Sequence, residues 1–208
     1  MREKIENKLD FIQKIRNFVF FNITDKFKRE RMRLFFQIMK IKGNEIILDI
    51  GAGGGELWNK FSSFENLNLI GLDIKQNNSK VYKKFIIGDA RNLPFSNKSI
   101  DIIFSNSVLE HVGGGEQQKI MANEIMRVGK KFFIQVPNKH FPVEPHYFIP
   151  FLQYLPIRCQ KIITKIFFRE SEEIYLPTRK QLEILFPDAE IIPEVFLGLT
   201  KSFYIYKK

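Results

Sequence analysis

Short apolar runs alternate along this chain with stretches whose apolar residues recur every three or four positions. The runs 46–50, 67–73, 84–88, 100–104 and 132–136 are rich in Ile, Leu and Phe and bounded by turn residues. They predict strands buried on both faces, because a strand exposed on one side would alternate apolar with polar. Helical periods lie between them, from Glu56 to about Phe64 and from Glu116 to Val128, the second with Met121, Ile125 and Val128 on one face. Upstream, Ile5, Leu9, Ile12, Ile15 and Val19, widened by Phe11 and Phe18, predict an amphipathic helix. A second opens near Thr24 or Asp25, carries Phe27, Leu34, Phe35 and Ile38 on one face and ends at Gly43-Asn44. Downstream, residues 148–156 are aromatic and apolar, and Cys159, Ile162, Ile163 and Ile166 predict one more amphipathic helix. Thr178 with Gln181 reads as a capping box for a helix ending at Phe186, before Pro187. Strands over 190–196 and 202–206 close the chain as a hairpin turning at Gly198. This order predicts an α/β protein with a doubly wound, mostly parallel sheet, the 132–136 strand near its centre, and a helical insertion after that strand.

Composition narrows the class. With 208 residues and 44% hydrophobic content the chain suits one self-sufficient domain, and disorder is excluded. A single cysteine, Cys159, rules out a disulfide framework and fits a reducing compartment, so the cytosol is the expected location. No uncharged run reaches the ~20 residues of a spanning helix. The net charge of +10 is concentrated at the start, where residues 1–42 hold twelve Lys or Arg against five Asp or Glu. Such a surface suits RNA, anionic lipid head groups or an acidic substrate, and equally a plain solvated face.

The chemistry centres on Ile46 to Glu56, IILDIGAGGGE, a buried strand breaking into a glycine turn ahead of a helix N-terminus. A dinucleotide G-x-G-x-x-G would need glycine where Glu56 stands. D-x-G-x-G-x-G fits, with Asp49, Gly51, Gly53 and Gly55. Asp73 ends the second strand 22 residues after Gly51, where a doubly wound sheet places a ribose-binding carboxylate. With GDARNLPF at 88–95 and DIIFSNSVLEHV at 101–112, the chain resembles the class I S-adenosylmethionine-dependent methyltransferases of the type 11 kind, by motif over roughly 44–136. The resemblance implies a Rossmann-like, seven-stranded sheet with an antiparallel last strand. It implies S-adenosylmethionine as cofactor and S-adenosylhomocysteine as product. Asp49, Gly51, Ala52, Gly53 and Gly55 would surround the methionine part, Asp73 would hold both ribose hydroxyls, and Ile74 would lie on the adenine. Asp89 and the Ala90 N–H would read the adenine edge, while Ser105, Asn106 and Ser107 would face the methyl group. His111 falls on the cofactor side too, or fixes the start of the next helix.

The acceptor side follows the fifth strand, in PNKHFPVEPH at 137–146. Ligands in open α/β sheets bind beyond the carboxyl ends of the strands, and three prolines hold this loop rigid. His140 and His146 are the candidate bases for an acceptor that must lose a proton; capping of loop backbone would explain them equally. With Glu144 they match no zinc spacing, and no metal is expected. The single domain thus divides into N-terminal helices (1–42), cofactor core (44–136), substrate-side loop and insertion (137–177) and last helix with hairpin (178–208). An apolar insertion points to a small-molecule acceptor with an apolar portion. Two other readings stand beside it: an RNA or protein methyltransferase using the basic N-terminus, and a non-catalytic cofactor-binding protein. Nucleic acid is disfavoured because Ser105-Asn106-Ser107-Val108 stands where an Asn-Pro-Pro-Tyr-type tetrapeptide would be. No transmembrane segment is expected; peripheral membrane contact is compatible with the charge.

Overall fold

A computed structural model describes residues 24–61, 67–144, 149–168 and 173–208. Helix α1 covers residues 24–39 of that range. After it run β1 (Ile46–Ile50), α2 (Glu56–Phe61), β2 (Asn68–Asp73), β3 (Lys84–Ile87), β4 (Ile100–Asn106), α3 (Gly115–Val128), β5 (Gly129–Pro137), α4 (Ile157–Phe168), α5 (Arg179–Leu185), β6 (Glu190–Phe196) and β7 (Leu199–Lys207). The strands form one seven-stranded sheet in the order β3-β2-β1-β4-β5-β7-β6, with β7 antiparallel to both neighbours and the remaining pairs parallel. The amphipathic helix expected over 5–19 lies outside the described residues.

The continuous apolar strands are explained by two cores, one on each face. Leu48 and Ile50 point to α3 and α5, while Ile47 points to α1 and α2. Ile103 and Ile102, then Ile134 and Phe133, alternate in the same way, as side chains on a pleated strand must. On the α1 face Phe35, Trp58, Phe104 and Phe133 are all buried, with Phe35 edge-on to the other three at centroid separations of 5.0 to 5.7 Å. Burying one such ring contributes about 1.5–3 kcal/mol.

Several expectations are corrected. Phe35 lies in the core with Leu34 and Ile38 packed against it, as expected, but the face is centred on Met32, Phe35 and Met39 with Arg31 also buried, and Phe27 packs edge-on to Phe196. Strand β5 begins at Gly129, directly at the end of α3: the Gly129 N–H closes the helix on Ile125 while its extended backbone already pairs with Ile100. The centre of the sheet is β4, because β7 and β6 are added beyond β5. On α4, Cys159 and Ile162 face outward, and Ile163 packs on a small cluster of Leu152, Ile174 and Leu176. Thr178 caps α5 in a complete capping box with Gln181, as expected. Pro193 sits in β6, an edge strand, where a missing N–H leaves no ladder partner wanting. Among the described residues no helix is long and apolar enough to cross a membrane.

Candidate functional site

Strands β1 and β2 lie in parallel with Ile50 opposite Leu72, so their carboxyl ends emerge side by side. The glycine turn is tied to that edge. The N–H groups of Gly51 and Ala52 both donate to the Leu72 carbonyl, at 2.8 and 3.1 Å. The Gly53 N–H donates to Asp73 Oδ2 at 3.0 Å, and Asp73 Oδ1 accepts from the Lys75 N–H at 3.0 Å. Gly51, Gly53 and Gly55 all have positive φ, which only glycine adopts without strain. A Cβ on Gly51 would lie 2.2 Å from Val108 Cγ2, so the turn is also packed from the β4 side.

A cleft of about 860 Å³ opens at these strand ends. Gly51, Gly53, Asp73, Ile74, Asp89, Ala90 and His111 line it, together with Ser107, Val108 and Tyr175. Gly53 has no protein atom within 4 Å of where its Cβ would be, so bare backbone faces open volume. Ile74 is 69% exposed, an apolar side chain with no cover of its own. Asp89 is held by Arg91, whose Nε lies 2.9 Å from Oδ1, and this bond keeps the carboxyl below its usual range. Arg91 Nη1 in turn donates to Gln117 Oε1 at 2.7 Å. Arg91, Lys75, Glu173 and Tyr175 are among the wall residues to which sequence reasoning assigned no role; for Arg91 the signal was its place inside GDARNLPF.

The remaining predicted residues stand elsewhere. Asp49 is buried with its carboxylate turned to the α1 face, where Oδ2 accepts from Trp58 Nε1 at 2.7 Å and from the Tyr82 hydroxyl at 2.6 Å. Burial raises its pKa to about 7 against the pull of those two donors. Ala52 is buried, and Gly55 packs on Val81 and Tyr82; neither lines the cleft. Asn106 accepts from Arg31 Nη1 instead of lining the cleft, Ser105 is fully buried, and Ser107 bonds Gln135 Oε1 at 2.8 Å. His140 is exposed on the turn after β5, its N–H donating to Asn138 Oδ1 at 3.0 Å, and it is not among the residues that line the cleft. His146 lies outside the described residues. The cleft therefore offers carboxylates for hydroxyl or amine donors, an apolar face and free backbone, a set suited to a nucleoside with an amino-acid tail.

Residues 48–132 match the family described as Methyltransferase domain. That match covers about two-fifths of the chain, and over it the chain is similar to this family. An uncharacterised protein of Methanocaldococcus jannaschii is 31% identical over 136 residues, which are 62% of this chain and 57% of that protein. The chain thus spans little more than half the length of this relative. A solved protein of Pyrococcus horikoshii shares the fold with a TM-score of 0.60 at 18% identity, over 84% of this chain and 85% of its own. The 1,6-didemethyltoxoflavin-N1-methyltransferase of Burkholderia thailandensis, solved with bound 1,6-didemethyltoxoflavin and S-adenosylhomocysteine, does so with a TM-score of 0.58 at 13% identity, over 95% of this chain and 84% of its own. At these identities the likeness is one of fold.

Proposed function

We propose that this protein transfers a methyl group from S-adenosylmethionine to a small-molecule acceptor with an apolar portion. The observation that carries the reading is Asp73, whose carboxylate is fixed by the Gly53 and Lys75 N–H groups at the lip of the cleft. Each of its oxygens retains acceptor capacity, so the pair can take two ribose hydroxyls. Bound there, S-adenosylmethionine would supply an electrophilic methyl group on a sulfonium. Ile74 covers an apolar ring face, Asp89 and the Ala90 N–H read the ring edge, and the bare Gly53 backbone admits the amino-acid portion. Ser107 and Val108, at the end of β4, wall the side on which an acceptor would approach.

Methyl transfer is a displacement at carbon, so alignment and exclusion of water do most of the work, with a base only where the acceptor must lose a proton. His140 and His146 are our candidates for that base, on the loop that leaves β5. The apolar insertion favours an acceptor with an apolar portion, and the single cysteine favours the cytosol. Calorimetry with S-adenosylhomocysteine and with NAD tests the cofactor: binding of the first alone is expected, and binding of NAD alone would reject the reading. Labelled methyl transfer to small-molecule, lipid, RNA and protein extracts tests the acceptor. Label appearing only in RNA or protein would replace the small-molecule assignment.

A further inference from the structure

The insertion between β5 and α5 presents an outward face of exposed apolar side chains. Phe151 is 60% exposed, Tyr154 49%, Leu155 41% and Ile162 59%. Leu155 continues the outer side of α4, where Arg158, Cys159, Ile162 and Lys165 follow at three- and four-residue steps. Phe151 is held outward by a backbone in the left-handed region, with φ at 63°, anchored by its N–H on the Pro142 carbonyl at 2.8 Å while Leu152 beside it is buried. A bulky residue in that conformation is uncommon, and a strained residue retained at a surface points to a use. The Phe151 and Tyr154 rings lie 6.4 Å apart.

Charge selects the occupant. Residues 149–168 contain three basic residues, Arg158, Lys161 and Lys165, and no acid. Lys161 pairs with Glu173, whereas Arg158 and Lys165 are exposed, and no carboxylate among the described residues pairs with them. Two copies of this chain meeting through the face would oppose like charges. Aromatic and aliphatic side chains interleaved with arginine and lysine match the boundary of an anionic bilayer, where rings and aliphatic groups enter the acyl region and cations stay among the head groups.

We infer that Phe151, Tyr154, Leu155 and the outer side of α4 dock this protein on an anionic lipid surface. The docked face is joined to the cleft: Lys161 pairs with Glu173, and Glu173 and Tyr175 line the cleft wall. An acceptor with an apolar portion would then be drawn from the bilayer, a consequence that rests on the methyl-transfer reading above, whereas the docking does not.

The test uses the full chain and vesicles of phosphatidylglycerol with phosphatidylcholine. Cys159, the only cysteine, is exposed on this face and takes an environment-sensitive fluorophore without further engineering. Binding to the mixed vesicles with a blue shift of that label, weak binding to pure phosphatidylcholine, and weakening by salt are expected. Each cation near an anionic surface contributes roughly fivefold, so the double variant Arg158→Gln with Lys165→Gln should bind roughly 25-fold less. Phe151→Ser with Ile162→Ser should bind at least roughly tenfold less. All variants should keep wild-type affinity for S-adenosylhomocysteine, which separates failure of docking from failure of the cofactor reading. Vesicle binding without a shift at Cys159, or undiminished in both double variants, would place the contact elsewhere, the basic N-terminus included, and overturn the inference. Equal binding to neutral and anionic vesicles would overturn it too. So would an absence of vesicle binding alongside self-association that the variants abolish, which would give the face to a second copy.

Discussion

At Gly51 a side chain is refused twice, by a φ of 73° and by Val108 Cγ2 at 2.2 Å from the Cβ position. Gly51→Ala should therefore destabilise the fold by about 2–4 kcal/mol, part backbone strain and part overpacking. Val108→Ala relieves the clash at a packing cost of its own, so in urea unfolding the double variant should lose less than the two single variants' losses added together. Asp73 makes a different demand. Asp73→Ala removes the ribose acceptor we assign and also frees the Gly53 N–H that the carboxylate holds. Both losses act in one direction, and S-adenosylhomocysteine should bind roughly 30- to 150-fold more weakly, with Asp73→Asn intermediate because its amide oxygen still accepts. Equal affinities by calorimetry would return Asp73 to a strand terminus. These two residues were legible in the sequence because their constraints are local: spacing along adjacent parallel strands decides where they emerge. Asp49 was legible as part of a motif but not in its orientation. It shares a strand face with Ile47, two residues earlier, and that face meets Trp58 and Tyr82 from distant stretches of chain. Arg31 stands four residues before Phe35 and eight before Met39 on the buried stripe, and its charge alone gives no sign of that burial.

Between elements, the turns and caps report how well local chemistry agrees with the fold. The capping box of α5 satisfies backbone donors at both Thr178 and Gln181, so Thr178→Ala should cost about 1 kcal/mol, read from the midpoint of thermal or urea unfolding. The β6–β7 hairpin goes against its own turn. Its two-residue loop has φ of 50° at Leu197 and 79° at Gly198, the pattern that favours Asn-Gly, yet Leu197 is 85% exposed and has little packing to lose. Leu197→Asn should stabilise by about 0.5–1 kcal/mol and raise Tm by about 1–4 °C; an unchanged or lower Tm would mean that Leu197 makes a contact worth keeping. Strand existence and order were legible because runs buried on both faces leave a plain signal. Boundaries were less so: the apolar run starts at Phe132, and only the pairing of Gly129 with Ile100 shows that strand β5 begins there. The facing of α4 was not legible, because an apolar stripe on an insertion does not say whether core or solvent lies beneath it.

Across the whole molecule, α1 is fastened to the far edge of the sheet by a buried charge cluster that no local pattern announces. Glu194 accepts from Arg31, Lys201, Ser202 and Tyr204, and Arg31 also reaches Asn106 at the end of β4. A register shift between Glu194 and Val195 is part of what brings Lys201 and Ser202 to one carboxylate. The six residues are scattered from 31 to 204, so spacing could not gather them. Burial alone would raise the Glu194 pKa, but Arg31 and Lys201 outweigh it and hold the group at about 2, against an ordinary value of 4.5. A depressed carboxylate stabilises the native state fully above its unfolded pKa and loses that contribution as pH falls through the folded one. For Glu194 the window runs from about 4.5 down to about 2, and the difference corresponds to about 3 kcal/mol. Asp49 works in the opposite sense. Its folded pKa of about 7 exceeds the ordinary 3.8, so the native state binds the proton more tightly and stability falls as pH rises across that interval. The summed contribution of these two residues is largest at about pH 4, between their ordinary values of 3.8 and 4.5, and falls below that through Glu194 and above it through Asp49. Glu194→Gln leaves Arg31 and Lys201 without a counter-charge and should cost about 3–5 kcal/mol at pH 7, the difference from wild type shrinking toward pH 2. Asp49→Asn should flatten the decline between pH 4 and 7 and leave the acid limb unchanged. Urea unfolding of the three proteins from pH 3 to pH 8 checks both limbs, and a wild-type curve that rises steadily to neutral pH would mean that Asp49 is ionised at little cost where it stands.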